Sequence, residues 1–375
     1  MSSNIETKNS FSWVEEAISK KHIKSYDYTH FSNIQVIGTG GFAKVYRAKY
    51  KNSEQYLALK SIINLDNTTL EELSRELVLH RDVDFHDNVI KFYGITTLDK
   101  ESSDQMMLVM EYADSGSLRR YLEMNFNNLA WRDKYSLAYQ LACAVSCLHD
   151  EGIVHRDLHS GNILIHQNKV KLSDFGLSKR IETSSKKKKS SLFGVIPYID
   201  PKKYDTIIEY SLNEKSDIYS IGILLWEISS GQFPFKNDAY DACLATKIYK
   251  GYREKPIDGT PEEYTNLYIE CWNGEPDDRP TIVDVVKRLK SIISQSDTTT
   301  KNNNFLNPND NRIDHISIKN SPRKNLSQVI KDLGKGGKVE KVEQNENTLT
   351  KVNKKLIDEI VNLIFKEIDE EKDQE

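Results

Sequence analysis

Cysteine is scarce: Cys143, Cys147, Cys243 and Cys271 are too few for a disulfide framework, and no Cys/His cluster has the spacing of a zinc site. A reducing compartment suits such a chain. Cys143 and Cys147 would share one helix face at i, i+4, but no third and fourth ligands accompany them, so both read as core thiols. An excess of charge of one sign is also missing. The 52 Lys+Arg and 56 Asp+Glu leave a net charge of -4, which makes no field for nucleic acid or an anionic membrane. Long apolar runs are absent as well: Ile221 to Trp226 falls far short of the roughly 18 residues that span a bilayer, and MSSNIETKNS lacks the basic start and apolar core of an export signal. No repeat with a period of about 20 to 50 residues is visible, which sets solenoids and propellers aside. The expectation is a cytoplasmic protein, with the nucleus left open, that has no membrane span and no nucleic-acid partner.

What is present suffices for a core. Hydrophobic residues make up 38% of the 375 and charged residues 29%, so a sizeable folded part is expected beside an unpacked one. After Ser294 the chain turns abruptly polar (QSDTTTKNNNFLNPNDN), which predicts a flexible linker over 294–345. Beyond it, Leu349, Val352, Leu356, Ile360, Leu363 and Ile364 recur at helical steps between Lys, Asp and Glu, the stripe of an amphipathic helix over 346–375. Docking on the protein's own surface, self-association or partner docking, and membrane contact are its open roles; the acidic end IDEEKDQE weighs against the last. Residues 1–29 form an extension with a short amphipathic segment around Trp13, Val14 and Ile18, and 30–293 form the folded domain.

Within that domain, strand patterns at Ile34 to Ile37, Val45 to Tyr50, Tyr56 to Ile62 and Met106 to Tyr112 are separated by Gly, Asn and Asp. One helix interrupts them, Thr69 to Val83, with Leu70, Leu73 and Leu77 at helical spacing and glutamates in its first turn. From Leu118 the pattern is mainly helical, with WRDKYSLAYQLACAVSCLHDEG and SDIYSIGILLWEISSG each ending in glycine. A small sheet-rich lobe precedes a larger helical one.

Ile37-Gly38-Thr39-Gly40-Gly41-Phe42-Ala43-Lys44-Val45 lies between two of the strands, where glycine lets backbone N–H groups approach a phosphate. Strand rather than helix follows, unlike a dinucleotide fold, and Gly-Lys-Ser/Thr is absent, unlike a P-loop, so a hairpin covering a nucleotide stands beside a plain turn. Lys60 projects from Leu57-Ala58-Leu59-Lys60, and Glu76 sits on the helix. Read singly, each is a surface charge; as a pair, Glu76 would orient Lys60 toward phosphates under the loop. His155-Arg156-Asp157-Leu158-His159-Ser160-Gly161-Asn162 occupies a loop before the apolar Ile163-Leu164-Ile165, and Asp174-Phe175-Gly176 follows. Asn162 and Asp174 are turn or capping residues read alone, and hard oxygen ligands suited to Mg²⁺ read together.

In order and spacing this set resembles the eukaryotic protein kinase catalytic domain, over about residues 30–293. Met110-Glu111-Tyr112-Ala113, Asp217 in SDIYSIG, Cys271-Trp272 and Asp278-Arg279-Pro280 extend the likeness. The resemblance implies a bilobal α+β fold, with a small antiparallel sheet and one helix in the first lobe and a larger helical second lobe. It also implies ATP and Mg²⁺ as cofactors, a protein as substrate, and transfer of the γ-phosphoryl group to serine or threonine in intracellular signalling. By that likeness Gly38, Gly40 and Gly41 cover the triphosphate, Lys60 contacts its α and β phosphates, Asn162 and Asp174 hold magnesium, and Asp157 orients the substrate hydroxyl and accepts its proton. Adenine would lie between Ile37, Val45 and Ala58 above and Leu164 below, with hydrogen bonds to the backbone at Glu111 and Ala113 and with Met110 at the back.

The sequence departs from the family pattern in several places. His159 occupies the position where most serine/threonine kinases carry lysine, while Ser160-Gly161-Asn162 and CWNGEPDDRPT resemble the tyrosine-kinase-like branch, which mostly phosphorylates serine and threonine. Ala43 replaces the third loop glycine. GVIPYIDPK replaces GTxxYxAPE, with Val195 for threonine, Asp200 for alanine and Lys202 for glutamate. The usual glutamate pairs with the arginine represented by Arg279, so Asp200, Asp277 or Asp278 is expected to take over that pairing from Lys202. These departures feed a second reading, a pseudokinase or scaffold that binds nucleotide or a partner without efficient transfer; Lys60, Glu76, Asp157, Asn162 and Asp174 argue for the active enzyme. In TSSKKKKSS, phosphate on Thr183, Ser184, Ser185, Ser190 or Ser191 would pair with Arg156.

Overall fold

The structure, a computed structural model, describes residues 24–39, 43–62, 76–77, 79–98, 106–180, 194–205 and 210–303. Outside these lie the segment around Trp13, the loop glycines Gly40 and Gly41, the start of the helix expected from Thr69, the five hydroxyl residues between 183 and 191, and the chain from 304 onward with the stripe at 346–375.

The first sheet comprises β1 (Ser25–Tyr26), β2 (Phe31–Thr39), β3 (Ala43–Tyr50), β4 (Tyr56–Ile62), β5 (Phe92–Thr97) and β6 (Met106–Glu111), in the order β1-β5-β6-β4-β3-β2. All neighbours are antiparallel except β1 and β5. Alternation divides its residues between two faces. Leu59, Met107 and Val109 pack with Tyr26, Phe31 and Ala48, whereas Leu108 and Met110 pack with Leu77, Ile90 and Ile95. Leu77 belongs to helix α1, described at residues 76–77 and 79–83, which therefore covers the second face. The sequence pattern missed β5: Gly94, with φ +146° and a register shift beside it, breaks the alternation, and the Lys24 backbone crosses where a Cβ would stand.

The helical lobe contains α2 (Leu118–Asn125), α3 (Trp131–Asp150), α4 (Glu214–Ser230), α5 (Ala242–Tyr249), α6 (Glu262–Cys271) and α7 (Ile282–Asn303). α4 is buried along nearly its whole length and ends at Gly231, φ +66°, where the Phe126 ring leaves no room for a side chain. Between α3 and α4 run β7 (Ile153–Val154), β8 (Ile163–His166), β9 (Lys169–Leu172) and β10 (Lys179–Arg180); β7 pairs with β10, and β8 with β9 through Gln167 and Asn168, both at positive φ.

Two expectations change. α7 continues through Asn303 rather than giving way to linker at 294: neither Gly nor Pro intervenes, and the Ser294 and Ser296 hydroxyls fold back onto the carbonyls of Lys290 and Ile293 without ending it. Cys147 is buried as expected, but Cys143 on the same helix is only partly so. No described helix is long and apolar enough to cross a membrane.

Candidate active site

Two strand ends bring the polar residues together. The β8–β9 hairpin sets the loop 155–162 beside the turn 173–176: the Ser173 N–H and hydroxyl both donate to the Asn162 carbonyl, at 3.0 and 2.8 Å. From α4, the buried Asp217 carboxylate accepts the backbone N–H groups of His155 and Arg156 at 2.8 Å each, and meets His149 Nε2 at 2.9 Å. Arg156 and Asp174 adopt left-handed backbone, φ +70° and +65°, which costs a non-glycine residue about 1–2 kcal/mol. The anchoring bonds must hold that strain.

Lys60 Nζ lies 3.1 Å from Glu76 Oε1 and 3.4 Å from Asp174 Oδ1. Three segments that are remote in sequence therefore meet at one ammonium. Burial lowers its proton affinity, but the charges of Glu76 and Asp174 outweigh that effect and raise it above the ordinary lysine range, so Lys60 is fully charged.

The second cluster surrounds Asp157. Asn162 Nδ2 donates to both its carbonyl and its Oδ2, at 3.0 Å each, which leaves the Asn162 Oδ1 for another partner. His159 Nε2 stands 3.6 Å from Asp157 Oδ2, and Nδ1 accepts the Gly161 N–H at 3.1 Å. Burial raises the Asp157 carboxyl; His159, then His155 and Asn162, outweigh it and hold the group below the usual carboxylate range. An ionised oxygen is thus available to a hydroxyl.

Ala58, Ala113 and Leu164 pack in one cluster with Met110. Val45 lies outside that cluster, opposite Lys60 in the β3–β4 ladder and opposite Gly38 in the β2–β3 ladder, and Ile37 is 45% exposed. The Glu111 carboxylate is already engaged by Lys171 at 2.9 Å and the Lys91 N–H at 3.1 Å, and the Glu111 N–H donates to the Lys91 carbonyl at 2.9 Å.

Arg279 and Asp200 are both fully buried and form a two-pronged pair, Nη1–Oδ2 2.7 Å and Nη2–Oδ1 2.9 Å. Of the three aspartates considered, Asp200 therefore serves Arg279. Lys202 turns away to Glu275 at 2.6 Å, a partner the sequence reading did not consider. The sequence reading also missed a buried chain behind the loop: Ser160 Oγ lies 3.1 Å from the Tyr198 hydroxyl, which donates to Glu227 Oε2 at 2.6 Å. Burial pushes Glu227 up to about 7 despite the hydrogen bonds of Tyr198 and Ser160 and the charge of Arg119. Residues 29 and 38 positions apart carried no spacing signal for it.

A sheet lysine paired with a helix glutamate and with the aspartate of a turn, beside an aspartate–asparagine loop, defines a class of phosphoryl-transfer domain. Residues 31–289 match the family described as protein tyrosine and serine/threonine kinase, and the chain belongs to it: this is a protein kinase. Similar chains include a serine/threonine-protein kinase/receptor of Acanthamoeba polyphaga mimivirus (31% identical, covering 73% of this chain and 17% of the relative). Others are a LIM domain-containing serine/threonine-protein kinase of Dictyostelium discoideum (32%; 71% and 40%) and a leaf rust disease-resistance locus receptor-like protein kinase of Arabidopsis thaliana (30%; 68% and 41%). The chain thus spans less than half the length of each of these relatives.

Proposed function

We propose that the protein phosphorylates serine or threonine hydroxyls of other proteins inside the cell, using ATP and Mg²⁺. The observation that carries this is the convergence of Lys60, Glu76 and Asp174 on one ion-paired point, tied through Ser173 and Asn162 to Asp157. The donor set fits the cofactor. Asn162 Oδ1 and the Asp174 carboxylate are hard oxygens suited to Mg²⁺, and among the described residues a methyl group on Gly38 would meet only Val45, at an ordinary 3.9 Å.

When bound, Mg-ATP supplies the phosphoryl group and the cations that neutralise its charge. The chain's own residues do the rest. Lys60, held by Glu76, orients phosphate oxygens; Ala58, Leu164 and the backbone at Glu111 and Ala113 hold the base; Asp157 draws in the substrate hydroxyl and takes its proton. Gly38, Gly40 and Gly41 let the backbone close over the phosphates, with Ile37 and Val45 flanking the base. The match to kinases with serine/threonine names supports the choice of acceptor. The domain extends from about residue 30 through α7, and the stripe at 346–375 serves docking or self-association.

The test is phosphate transfer from radiolabelled ATP to a generic protein substrate, for wild type and Asp157→Asn. Loss of the base lowers turnover on the order of 10²-fold or more. Background-level signals from both proteins would replace the enzyme with the scaffold reading that His159, Val195 and Lys202 suggest.

A further inference from the structure

The face of the first sheet opposite α1 is covered by no described α-helix. Its cluster of Tyr26, Phe31, Ala48 and Leu59, with Tyr46 and Tyr50 packed against it, draws all its members from strands and the turn at 28–30. Tyr50 is the hub, its ring 4.9 Å from those of Tyr26 and Phe31. Val36, 51% exposed, stands opposite Tyr46 in the β2–β3 ladder and so extends the same face.

Cations cap the rings. Lys24 Nζ lies 4.4 Å from the centre of Tyr26, Lys44 5.5 Å from that of Tyr46 and Lys51 5.4 Å from that of Tyr50. None of the three has a carboxylate within ion-pair distance among the described residues, whereas Lys49 and Arg47, at alternate positions of β3, are held by Glu54 at 3.2 Å and by Gln35. From Lys24 to Lys51 the sequence has five Lys and Arg and one carboxylate, Asp27, which already accepts the Thr29 N–H and hydroxyl at 3.0 and 2.7 Å. A chain with a net charge of -4 therefore carries a local positive face of tyrosine and lysine.

The sequence outside the described residues holds a segment of matching chemistry. In the helical pattern of 346–375, Leu356, Ile360 and Leu363 lead at three- and four-residue steps to Glu367 and Glu371, with Glu370 beside them. Lys351, Lys354, Lys355, Lys366 and Lys372 all fall outside that row. Apolar side chains followed by carboxylates complement tyrosine rings flanked by ammonium groups. The 42 residues of 304–345 tether the segment to α7. That length reaches at most about 140 Å, against a radius of gyration of about 18 Å for a domain of this size, so the sheet is within range. The groove between α6 and α7 lies closer to the tether but has the wrong charge: Arg288 is already bound by Glu270, and Glu263 adds a carboxylate that would repel Glu367 and Glu371.

We propose that residues 356–371 dock on this outer face of the first sheet, their apolar row on Val36, Tyr46 and Tyr50, and Glu367, Glu370 and Glu371 on Lys24, Lys44 and Lys51. This names the surface for the docking role of the stripe at 346–375 and rests on that role, not on phosphate transfer.

The test is carbodiimide cross-linking of the full-length protein, mixed from equal parts of ¹⁴N and ¹⁵N chains and read by mass spectrometry, with amide hydrogen exchange of residues 24–39, 43–50 and 346–375 alongside. The expected result is isotopically pure cross-links, formed within one chain, from Lys24, Lys44 or Lys51 to carboxylates between 367 and 375. Protection of the stripe falls at least about fivefold between about 0.05 and about 0.5 M salt. Lys24→Glu/Lys44→Glu/Lys51→Glu loses that protection, Glu367→Lys/Glu370→Lys/Glu371→Lys in the same chain restores it, and Lys287→Glu/Lys290→Glu on α7 changes nothing. Cross-links that join ¹⁴N to ¹⁵N chains, cross-links to Lys287 or Lys290, or stripe protection that ignores the face variants would overturn the proposal while leaving the stripe a docking or self-association element. So would a face that takes up phosphatidylserine vesicles or an oligonucleotide without any change in exchange of the stripe. No protection and no cross-link in any form would remove the docking role as well, and the transfer assay with Asp157→Asn decides the kinase reading separately.

Discussion

Replacing Asp200 by alanine restores the residue of the family pattern and should nevertheless be among the most damaging single changes in the helical lobe. Arg279 and Asp200 share two hydrogen bonds at 2.7 and 2.9 Å with no exposure on either side chain. Removing one partner of such a pair leaves a buried uncompensated charge, a loss of about 3–5 kcal/mol. The guanidinium keeps bonds to the carbonyls of Asn273 and Lys215 at 2.9 and 2.7 Å, which places the expected loss near the lower end, about 3 kcal/mol. For a domain of this size that lowers Tm by roughly 10 °C. The family places its carboxylate two residues later, at position 202. Lys202→Glu alone disrupts only the pair with Glu275, whose side chain is 64% exposed, and should cost less than about 1 kcal/mol. The double variant Asp200→Ala/Lys202→Glu should then regain most of the stability lost in the single one. Urea unfolding of the four proteins, followed by circular dichroism, gives the coupling energy directly. A loss below about 1 kcal/mol for Asp200→Ala, or a double variant no more stable than it, would refute the claim that a carboxylate has migrated from 202 to 200 to neutralise Arg279.

Two other outcomes follow from side chains behind and within the catalytic loop. Glu227, pushed up to about 7 by burial, binds a proton more tightly folded than unfolded, so its contribution is full below about 4.5 and is lost as pH rises through 7, roughly 3 kcal/mol in all. The stability of Glu227→Gln relative to wild type should therefore rise between pH 5 and pH 8 in urea melts; an unchanged difference would contradict the assignment. Gly161→Ala introduces a Cβ 2.8 Å from His159 Cε1 and 2.9 Å from its Nδ1, so it should move the ring from Asp157 while leaving Tm within a few degrees. Its kcat should fall several-fold to that of His159→Ala, with no further loss in the double variant, and additive losses in the transfer assay would show that the two positions act separately.

The parts legible in the sequence were those whose chemistry is contiguous. His155 to Asn162 and Asp174 to Gly176 each carry several informative residues within one turn of chain, so their loop placement and ligand types could be read before any coordinates. The meeting of Lys60, Glu76 and Asp174 was different: 16 and 114 residues separate Lys60 from its two partners, the pair with Glu76 stood beside a plain surface-charge reading until the likeness to a family favoured it, and that likeness alone brought in Asp174. Where no such likeness spoke, long-range contacts stayed hidden. Glu227 was not singled out in the apolar helix SDIYSIGILLWEISSG, and its hydrogen bond from Tyr198, 29 residues away, has no counterpart in the sequence pattern. Local chemistry misled at α7, where a polar run reads as linker although its hydroxyls bond back to the preceding turn.

The departures from the family pattern gain meaning when taken in pairs. Asp200 and Lys202 are each anomalous, yet Asp200 satisfies Arg279 and thereby frees position 202 to carry a lysine that pairs with Glu275 on the surface. His159 and Gly161 are related in the same way: the imidazole lies where a Cβ at 161 would stand, and its Nδ1 takes the Gly161 N–H. A decaying site has no reason to preserve such correspondences, because an unpaired buried charge or a crowded ring destabilises the fold whether or not the enzyme turns over. Stability alone could maintain the first pair, since both Asp200 and Arg279 are inaccessible. It contributes to the second as well, because the His159 ring lies beside Tyr198 with centroids 6.0 Å apart and its Nδ1 accepts the Gly161 N–H. The ring also places Nε2 3.6 Å from the Asp157 carboxylate, where it favours the ionised form that the proposed proton transfer requires.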